Sequence, residues 1–268
     1  MIDVLAIYRA ERFSPNSADK DKAILDSVCL RLDVNTYNIE YMNETGLVGD
    51  EQADIILSMG REVPTLDFLA AAEAKGSVVI NPAQGVRHCA RTVVDSIMRA
   101  NSLPAAPQEG SCGYWVKRGD EAAQSPADVV FAANEAEKQA VLAAFSNRGV
   151  TSVVTSAHVQ GDLVKFYGVS GTDFFAIFYP ADDGCFKFDD ELRNGQPAHY
   201  KFSETALRAD VSRLAELTGV LVYGGDCIVR PDGTYVIIDF NDWPSFSRCR
   251  EQAAEAIAAV VRKAVIRN

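Results

Sequence analysis

The first eighty residues alternate short apolar runs with stretches of helical spacing, and this alternation restricts the fold more than any other feature of the chain. Residues 3–8, 38–42, 54–59 and 77–80 read as strands. Between them, residues 17–32 carry Ala23, Ile24 and Val28 at helical spacing, and the Ala-rich run 65–75 stops at Gly76. Strands and helices taking turns in this way build a parallel sheet with helices laid over it. Asn81-Pro82 closes the last of these strands.

A helix is expected over 83–100, ending before Leu103-Pro104-Ala105-Ala106-Pro107, whose prolines mark a boundary. Beyond it, 113–117, 128–132, 151–159, 163–169 and 174–179 read as strands. A helix at 135–145 places Ala136, Val141, Leu142 and Phe145 on its apolar face. The stretch 118–126 is polar, and 180–200 is irregular and rich in Asp and Gly. Another helix, 203–218, spaces Leu207, Val211, Leu214 and Leu217 along one side. Two strands follow, 220–229 and 235–240, and a last helix over 249–266 buries Ala253, Ile257, Val260 and Val261. No repeat or low-complexity block interrupts this order. The expected organisation is α/β followed by α+β: an N-terminal lobe over 1–103, a central lobe over 104–160 and a C-terminal lobe over 161–268.

Charge and composition exclude several function classes. The net charge of −11, from 26 basic and 37 acidic side chains, disfavours a nucleic-acid partner, which needs a basic surface. A local basic pocket can still hold a small anion. No run of 18 apolar residues reads as a membrane span, and the start lacks the pattern of a signal peptide, so a cytoplasmic protein is expected. Cysteines at 29, 89, 112, 185, 227 and 249 show no C-x-x-C pair and are read as small hydrophobes in reduced interiors. A small-molecule substrate is the expected partner; a homodimer stays open.

The strongest chemical signal lies in the late hairpin, Asp226-Cys-Ile-Val-Arg-Pro-Asp-Gly-Thr-Tyr-Val-Ile-Ile-Asp239-Phe-Asn241. Pro231-Asp232-Gly233 supplies the turn. With a four-residue loop, Asp226 faces Asp239 directly, and Asn241 shares their face opposite Gly224, where a missing side chain leaves room. A three-residue loop with a glycine bulge slips the register by one and separates the acids unless a second bulge restores them. Two carboxylates held close in an apolar hairpin repel one another and are costly to desolvate. A divalent cation removes both costs, and magnesium commonly combines one or two carboxylates with substrate phosphates. The alternative is that both acids simply end strands in solvent, which suits Asp239 poorly inside Tyr235-Val-Ile-Ile-Asp-Phe.

Basic candidates come from earlier in the chain. Lys117 ends Gly113-Tyr-Trp-Val-Lys117, and Lys165 sits among apolar neighbours in Leu163-Val-Lys-Phe-Tyr-Gly-Val169. A strand-borne lysine can hold a phosphate as a fixed point charge. Arg91, in the helix after Asn81-Pro82, is a third candidate. His88, His158 and His199 assemble no Ser-His-Asp set.

Taken in order, these residues resemble the ATP-grasp superfamily over nearly the whole chain. Val79-Ile80-Asn81-Pro82, the helix after it and Leu103-Pro104 resemble the end of that family's N-terminal lobe. Asp226, Asp239 and Asn241 resemble its Asp…(Asp/Glu)-x-Asn magnesium motif in spacing and strand context. The resemblance implies an N-terminal βαβ lobe followed by two α+β lobes that clasp nucleotide. It implies ATP and Mg2+ (or Mn2+) as cofactors, with Asp226, Asp239 and Asn241 as metal ligands. Lys117 then holds nucleotide phosphate, Arg91 assists, and the strand 153–159 presents Ser156, Ala157, His158 and Val159 to the adenine. Lys165 lies over the phosphates or substrate, and Lys165, Asp239 and Asn241 form the catalytic set.

Two branches remain open within that resemblance. Carboxylate–amine ligases such as D-alanine–D-alanine ligase use a similar hairpin, and inositol trisphosphate kinases are similar around Lys165 and Ile238-Asp239-Phe-Asn241-Asp-Trp-Pro244-Ser245. Few basic clusters are present for an inositol phosphate, which favours the ligase. The run Lys117-Arg-Gly-Asp-Glu-Ala-Ala123 lacks a Gly-rich loop, Ser156-Ala157 replaces an acid or Gln, and Ser245 replaces a glycine. A nucleotide-binding regulator without turnover is therefore a third reading. Trp243, Phe246 and Arg248 either shape the substrate side or, for the two aromatics, belong to the core.

Overall fold

The computed structural model describes residues 1–14, 17–120, 123, 125–182 and 193–266. Cys185, part of the irregular stretch 180–200 and part of the polar stretch 118–126 lie outside the described residues. Among the described residues, no helix is long and apolar enough to cross a membrane.

The early alternation folds as expected into a four-stranded parallel sheet, ordered β2-β1-β3-β4, from β1 (Ile2–Tyr8), β2 (Tyr37–Asn43), β3 (Ile55–Ser58) and β4 (Val78–Ile80). Both faces of β1 are covered, which is why Val4 to Ile7 form an unbroken apolar run. Val4 and Ala6 pack into one core with Ile24, Leu25 and Val28 of α1 (Ala18–Cys29). Leu5 and Ile7 pack into another, with Leu66 and Leu69 of α2 (Val63–Ala74) and with Ala83 and Val86 of α3 (Ala83–His88).

The helix expected over 83–100 is two helices, α3 and α4 (Arg91–Ala100), with Ala90 extended between them. Tertiary bonding overrides the helical spacing here. The Thr92 N–H and hydroxyl both donate to the Gly119 carbonyl at 3.1 Å, outside the helix, so a new helix must begin there.

A three-stranded antiparallel sheet follows, ordered β6-β5-β7, from β5 (Tyr114–Arg118), β6 (Val129–Ala132) and β7 (Val153–Ala157). Val116 and Val130 on one face pack against Phe145 of α5 (Glu135–Asn147). Trp115 and Lys117 therefore share the other face. The last sheet is antiparallel, ordered β11-β10-β8-β9, from β8 (Asp162–Val169), β9 (Phe175–Phe178), β10 (Val222–Val229) and β11 (Tyr235–Asp242). Phe166, Cys227 and Phe240 pack there against Leu207, Val211 and Leu214 of α6 (Glu204–Thr218). Ser203 caps the start of α6 by accepting from Ala206 N–H, and Gly219, with φ 86°, ends it in the left-handed region. Leu217 and Ala136, assigned to apolar helix faces, are exposed instead.

The chain then returns to its beginning. α7 (Arg250–Ile266) buries Ala253, Ile257 and Val261 in the same core as Val4, Val28 and Leu57. Trp243 and Phe246 are fully buried in that core, so the structure assigns both aromatics to packing. Cys29, Cys227 and Cys249 are buried as expected, but Cys112 is exposed and Cys89 half-buried.

Asn81 joins the first sheet to the last. It is completely buried; its Nδ2 donates to the Val222 carbonyl, and its Oδ1 accepts from the N–H groups of Leu221 and Val222, each at 2.8 Å. Trp243 adds a bond from Nε1 to the Ile80 carbonyl at 3.1 Å. Asn81→Ala removes the acceptor of the Leu221 and Val222 N–H groups and one of two donors to the Val222 carbonyl, which also accepts from Trp243 N–H at 3.0 Å. It is expected to lower stability by about 3 kcal/mol in a urea titration, with the helical far-UV signal retained at low denaturant.

Candidate functional site

The hairpin follows the second of the two registers open to the sequence. Arg230 N–H donates to the Thr234 carbonyl at 2.8 Å, leaving Pro231-Asp232-Gly233 as a three-residue loop. Gly233 has φ 82°, which a side-chain-bearing residue tolerates poorly. Val229, Ile228 and Cys227 pair with Tyr235, Val236 and Ile237, one step out of the register that would oppose the acids. A bulge then intervenes. Ile238 is the extra residue, and beyond it Asp226 pairs with Asp239 and Gly224 with Asn241.

The bulge has partners of its own. Ile237 N–H donates to the Pro104 carbonyl at 2.7 Å, and Ala105 lies beside it in a parallel bridge. The Ile238 carbonyl accepts a 2.9 Å bond from Lys117 Nζ. The proline boundary thus laces onto β11 where the ladder is interrupted, and the freed carbonyl meets the lysine of β5.

Across the sheet, Lys165 pairs with Asp226, and Asp226 with Asp239, so the three form one row on one face. Lys165 Nζ lies 3.1 Å from Asp226 Oδ1. Arg91, at the start of α4, reaches the same face with Nε 3.4 Å from Asp239 Oδ1. Asn241 Nδ2 donates to Asp239 Oδ2 at 2.9 Å. Next in line, Tyr167 pairs with Gly224; its ring and Pro244 stand within 3 Å of where a Gly224 side chain would begin. The room expected at Gly224 is therefore filled.

The charges of this cluster shape one another. Burial raises the Asp239 carboxyl, but Arg91, Lys117 and the Asn241 bond outweigh it and hold the group down at about 2. Burial pulls Lys117 below the ordinary lysine value, with Asp239 opposing and Arg91 adding to the shift. Tyr167 is pushed up to about 12, chiefly by burial. A cavity of about 40 Å³ lies between the sheets, lined by Arg91, Lys117, Ser156 and Asp239 among others. That volume admits a few waters, whereas small-molecule sites usually measure about 300 Å³ or more.

Of the residues expected at the adenine, Ser156 lines this cavity, and Ala157, His158 and Val159 are not in its lining. Ala157 N–H donates to the Pro107 carbonyl at 2.7 Å, and His158 N–H to the Gly113 carbonyl at 2.8 Å. The Val159 carbonyl accepts from Asn194 Nδ2 at 3.1 Å. The His158 ring rests against Trp115 and Phe131, accepting from Trp115 Nε1 at 3.2 Å; burial and Arg193 lower its pKa. Arg193 stacks over Phe131, 3.7 Å from the ring centre.

Sequence reasoning missed a second polar cluster next to the hairpin. Asp242, buried, takes Arg61 Nη2 at 2.6 Å and lies 3.5 Å from Arg9 Nη2. Arg9 also binds Asp21 at 2.9 Å and the Met59 and Trp243 carbonyls. The available signal was positional: Arg9 and Arg61 follow the C-terminal ends of β1 and β3, the edge where such sheets carry ligand-facing loops.

The donor set suits magnesium. Two carboxylates and one carboxamide share a face, with basic side chains at hand for phosphates. No cluster of three His, Cys, Asp or Glu side chains capable of holding a metal occurs among the described residues, so a metal here needs the amide and further oxygens.

Comparison with known proteins decides the fold. No family model matches the chain, and no curated protein matches it by sequence. Solved structures match along nearly its whole length. D-alanine–D-alanine ligase from Bacillus anthracis superimposes with a TM-score of 0.63 at 12% identity, over 98% of this chain and 99% of that one; it has also been solved complexed with ATP. VanG D-Ala:D-Ser ligase from Enterococcus faecalis gives 0.65 at 11% identity, over 96% and 98%. The RimK domain ATP-grasp protein from Sphaerobacter thermophilus gives 0.64 at 14% identity, over 96% and 98%. The chain has the ATP-grasp fold. The resemblance read from its sequence is borne out at the level of fold, and the acids and lysines meet between the second and third sheets.

Asp239 makes the cluster pH-sensitive. Its folded pKa, about 2, lies below the 3.8 of an ordinary aspartate, so its contribution is present above pH 4 and lost as pH falls toward 2. Urea titrations at pH 5 and pH 2 are expected to show the wild type losing about 2 kcal/mol more than Asp239→Asn across that interval.

Proposed function

We propose that this protein is an ATP- and magnesium-dependent ligase that activates a small-molecule or peptide carboxylate as an acyl phosphate for attack by an amine or another nucleophile. The observation that carries this reading is the row Lys165–Asp226–Asp239, joined by Lys117 from the facing sheet and Arg91 from α4. The structural neighbours support it, being D-alanine–D-alanine and D-Ala:D-Ser ligases, one of them seen with ATP.

In this reading Asp226, Asp239 and Asn241 hold the divalent cation, Mg2+ or Mn2+. Bound there, the ion offsets phosphate charge that the two carboxylates would otherwise repel. Lys117, Lys165 and Arg91 hold the phosphates as fixed positive groups, and Ser156, Ala157, His158 and Val159 border the base. The substrate carboxylate attacks the γ-phosphorus, the bond to the bridging oxygen breaks, and ADP leaves. The nucleophile then attacks the acyl carbon and expels phosphate.

Such chemistry rests on positioning and charge, and needs no side-chain nucleophile. The histidines fit that absence of a base: His158 rests on Trp115, His199 pairs with Asp182, and His88 meets the Thr218 carbonyl.

Turnover of γ-labelled ATP with a panel of carboxylate and amine substrates tests the reading. ADP with free phosphate marks a ligase; label retained on a hydroxyl product marks a kinase instead. Asp226→Asn is expected to lower ATP turnover by at least ~100-fold while leaving the thermal melt nearly unchanged. Wild-type turnover in that variant would remove the metal assignment.

A further inference from the structure

Every charged group of the cluster is engaged with another group of the chain, and the engagement is crossed between acids and bases. Lys165 holds Asp226 at 3.1 Å, Arg91 lies 3.4 Å from Asp239, and Lys117 donates to the Ile238 carbonyl at 2.9 Å. Among the described residues, two of these cations lie against the two carboxylates and the third against a backbone carbonyl, around a cavity of about 40 Å³. Each carboxylate proposed to bind metal thus faces a cation proposed to bind phosphate.

We propose that divalent metal and polyphosphate enter this site only together, by an exchange of partners: phosphate oxygens take Lys117, Lys165 and Arg91, and the released Asp226 and Asp239 take the cation. This rests on the reading of the cleft as a metal–nucleotide site. A metal ion arriving alone meets carboxylates already offset by an ammonium and a guanidinium at contact distance, and it is repelled by both. A polyphosphate arriving alone draws those cations away and leaves two partly buried acids facing its own negative charge. Arriving together, both ligands leave every charge with an opposite neighbour. Asn241 fits the same exchange, since it gives Nδ2 to Asp239 and keeps Oδ1 as a donor for a cation. Arg91 and Lys165 are then more than phosphate holders: they keep the acids from metal until phosphate replaces them.

Electron paramagnetic resonance of Mn2+ tests this on the full chain without catalysis, each titration being read against the same mixture without protein because ADP and tripolyphosphate chelate the ion themselves. Wild-type protein is expected to bind Mn2+ at least ~tenfold more tightly with ADP or with inorganic tripolyphosphate than without either. Calorimetry with ADP in the presence of EDTA is expected to show correspondingly weak binding. Arg91→Met and Lys165→Met each remove a cation from an acid, so each is expected to raise the affinity for Mn2+ alone by about tenfold and to shrink the gain from ADP. Far-UV circular dichroism checks that each variant is folded, and either variant alone suffices. Equal Mn2+ affinity of the wild type with and without polyphosphate overturns the exchange, as does a failure of both variants to gain affinity for Mn2+ alone. Joint uptake of Mn2+ with tripolyphosphate but not with ADP keeps the exchange and removes the nucleotide.

Discussion

The candidate site depends on one backbone irregularity, the extra residue Ile238 in β11. Without it the hairpin runs in the register set by its three-residue loop, with Cys227 opposite Ile237, and Asp239 turns to the other face of the sheet from Asp226. The bulge restores the alternation, stacks the two acids side by side with Lys165, and frees a carbonyl for Lys117. A ladder defect here does two jobs: it aims side chains, and it supplies a carbonyl through which Lys117 meets the hairpin.

The surroundings hold that hairpin in place from the N-terminal side. Asn81 bonds the start of β10, Trp243 reaches the Ile80 carbonyl, and Arg9 and Arg61 fix Asp242 just past Asn241. Trp243 and Phe246 hold positive φ angles of 35° and 47°, which aromatic residues adopt at a cost that their complete burial offsets. α7 then packs on α1, so both ends of the chain contribute to a single core. Buried ion pairs such as Arg9–Asp21 add little net stability, but breaking one is expensive, and they specify geometry.

How far the sequence could be read follows from which forces decided each element. Strands β1, β3 and β4 were legible because burial on both faces leaves an apolar run that nothing else explains. The opposition of Asp226 and Asp239 was legible only as one of two outcomes, since loop length and a second bulge trade against each other and no local signal marks Ile238. The break between α3 and α4 was hidden, because a carbonyl from residue 119 takes the Thr92 N–H and helical spacing carries no trace of that. The Arg9–Asp242–Arg61 cluster was hidden for the same reason: its members lie far apart in sequence and meet only when the C-terminal strand returns to the first sheet. Trp243 and Phe246 were ambiguous beside a polar motif, and only packing resolved them in favour of the core.

The bond from Lys117 to the Ile238 carbonyl has a mechanical consequence. Lys165, Asp226, Asp239 and Asn241 all ride on one sheet, whereas Lys117 alone comes from the sheet of β5, β6 and β7. A seam therefore runs through the cluster, with four members on one sheet, Lys117 on the other and Arg91 reaching in from α4. Prising the sheets apart along it severs that contact and leaves the Lys165–Asp226 pairing and the Asn241–Asp239 bond whole. Asp226 and Asp239, paired on neighbouring strands of one sheet, move as a unit in any such separation.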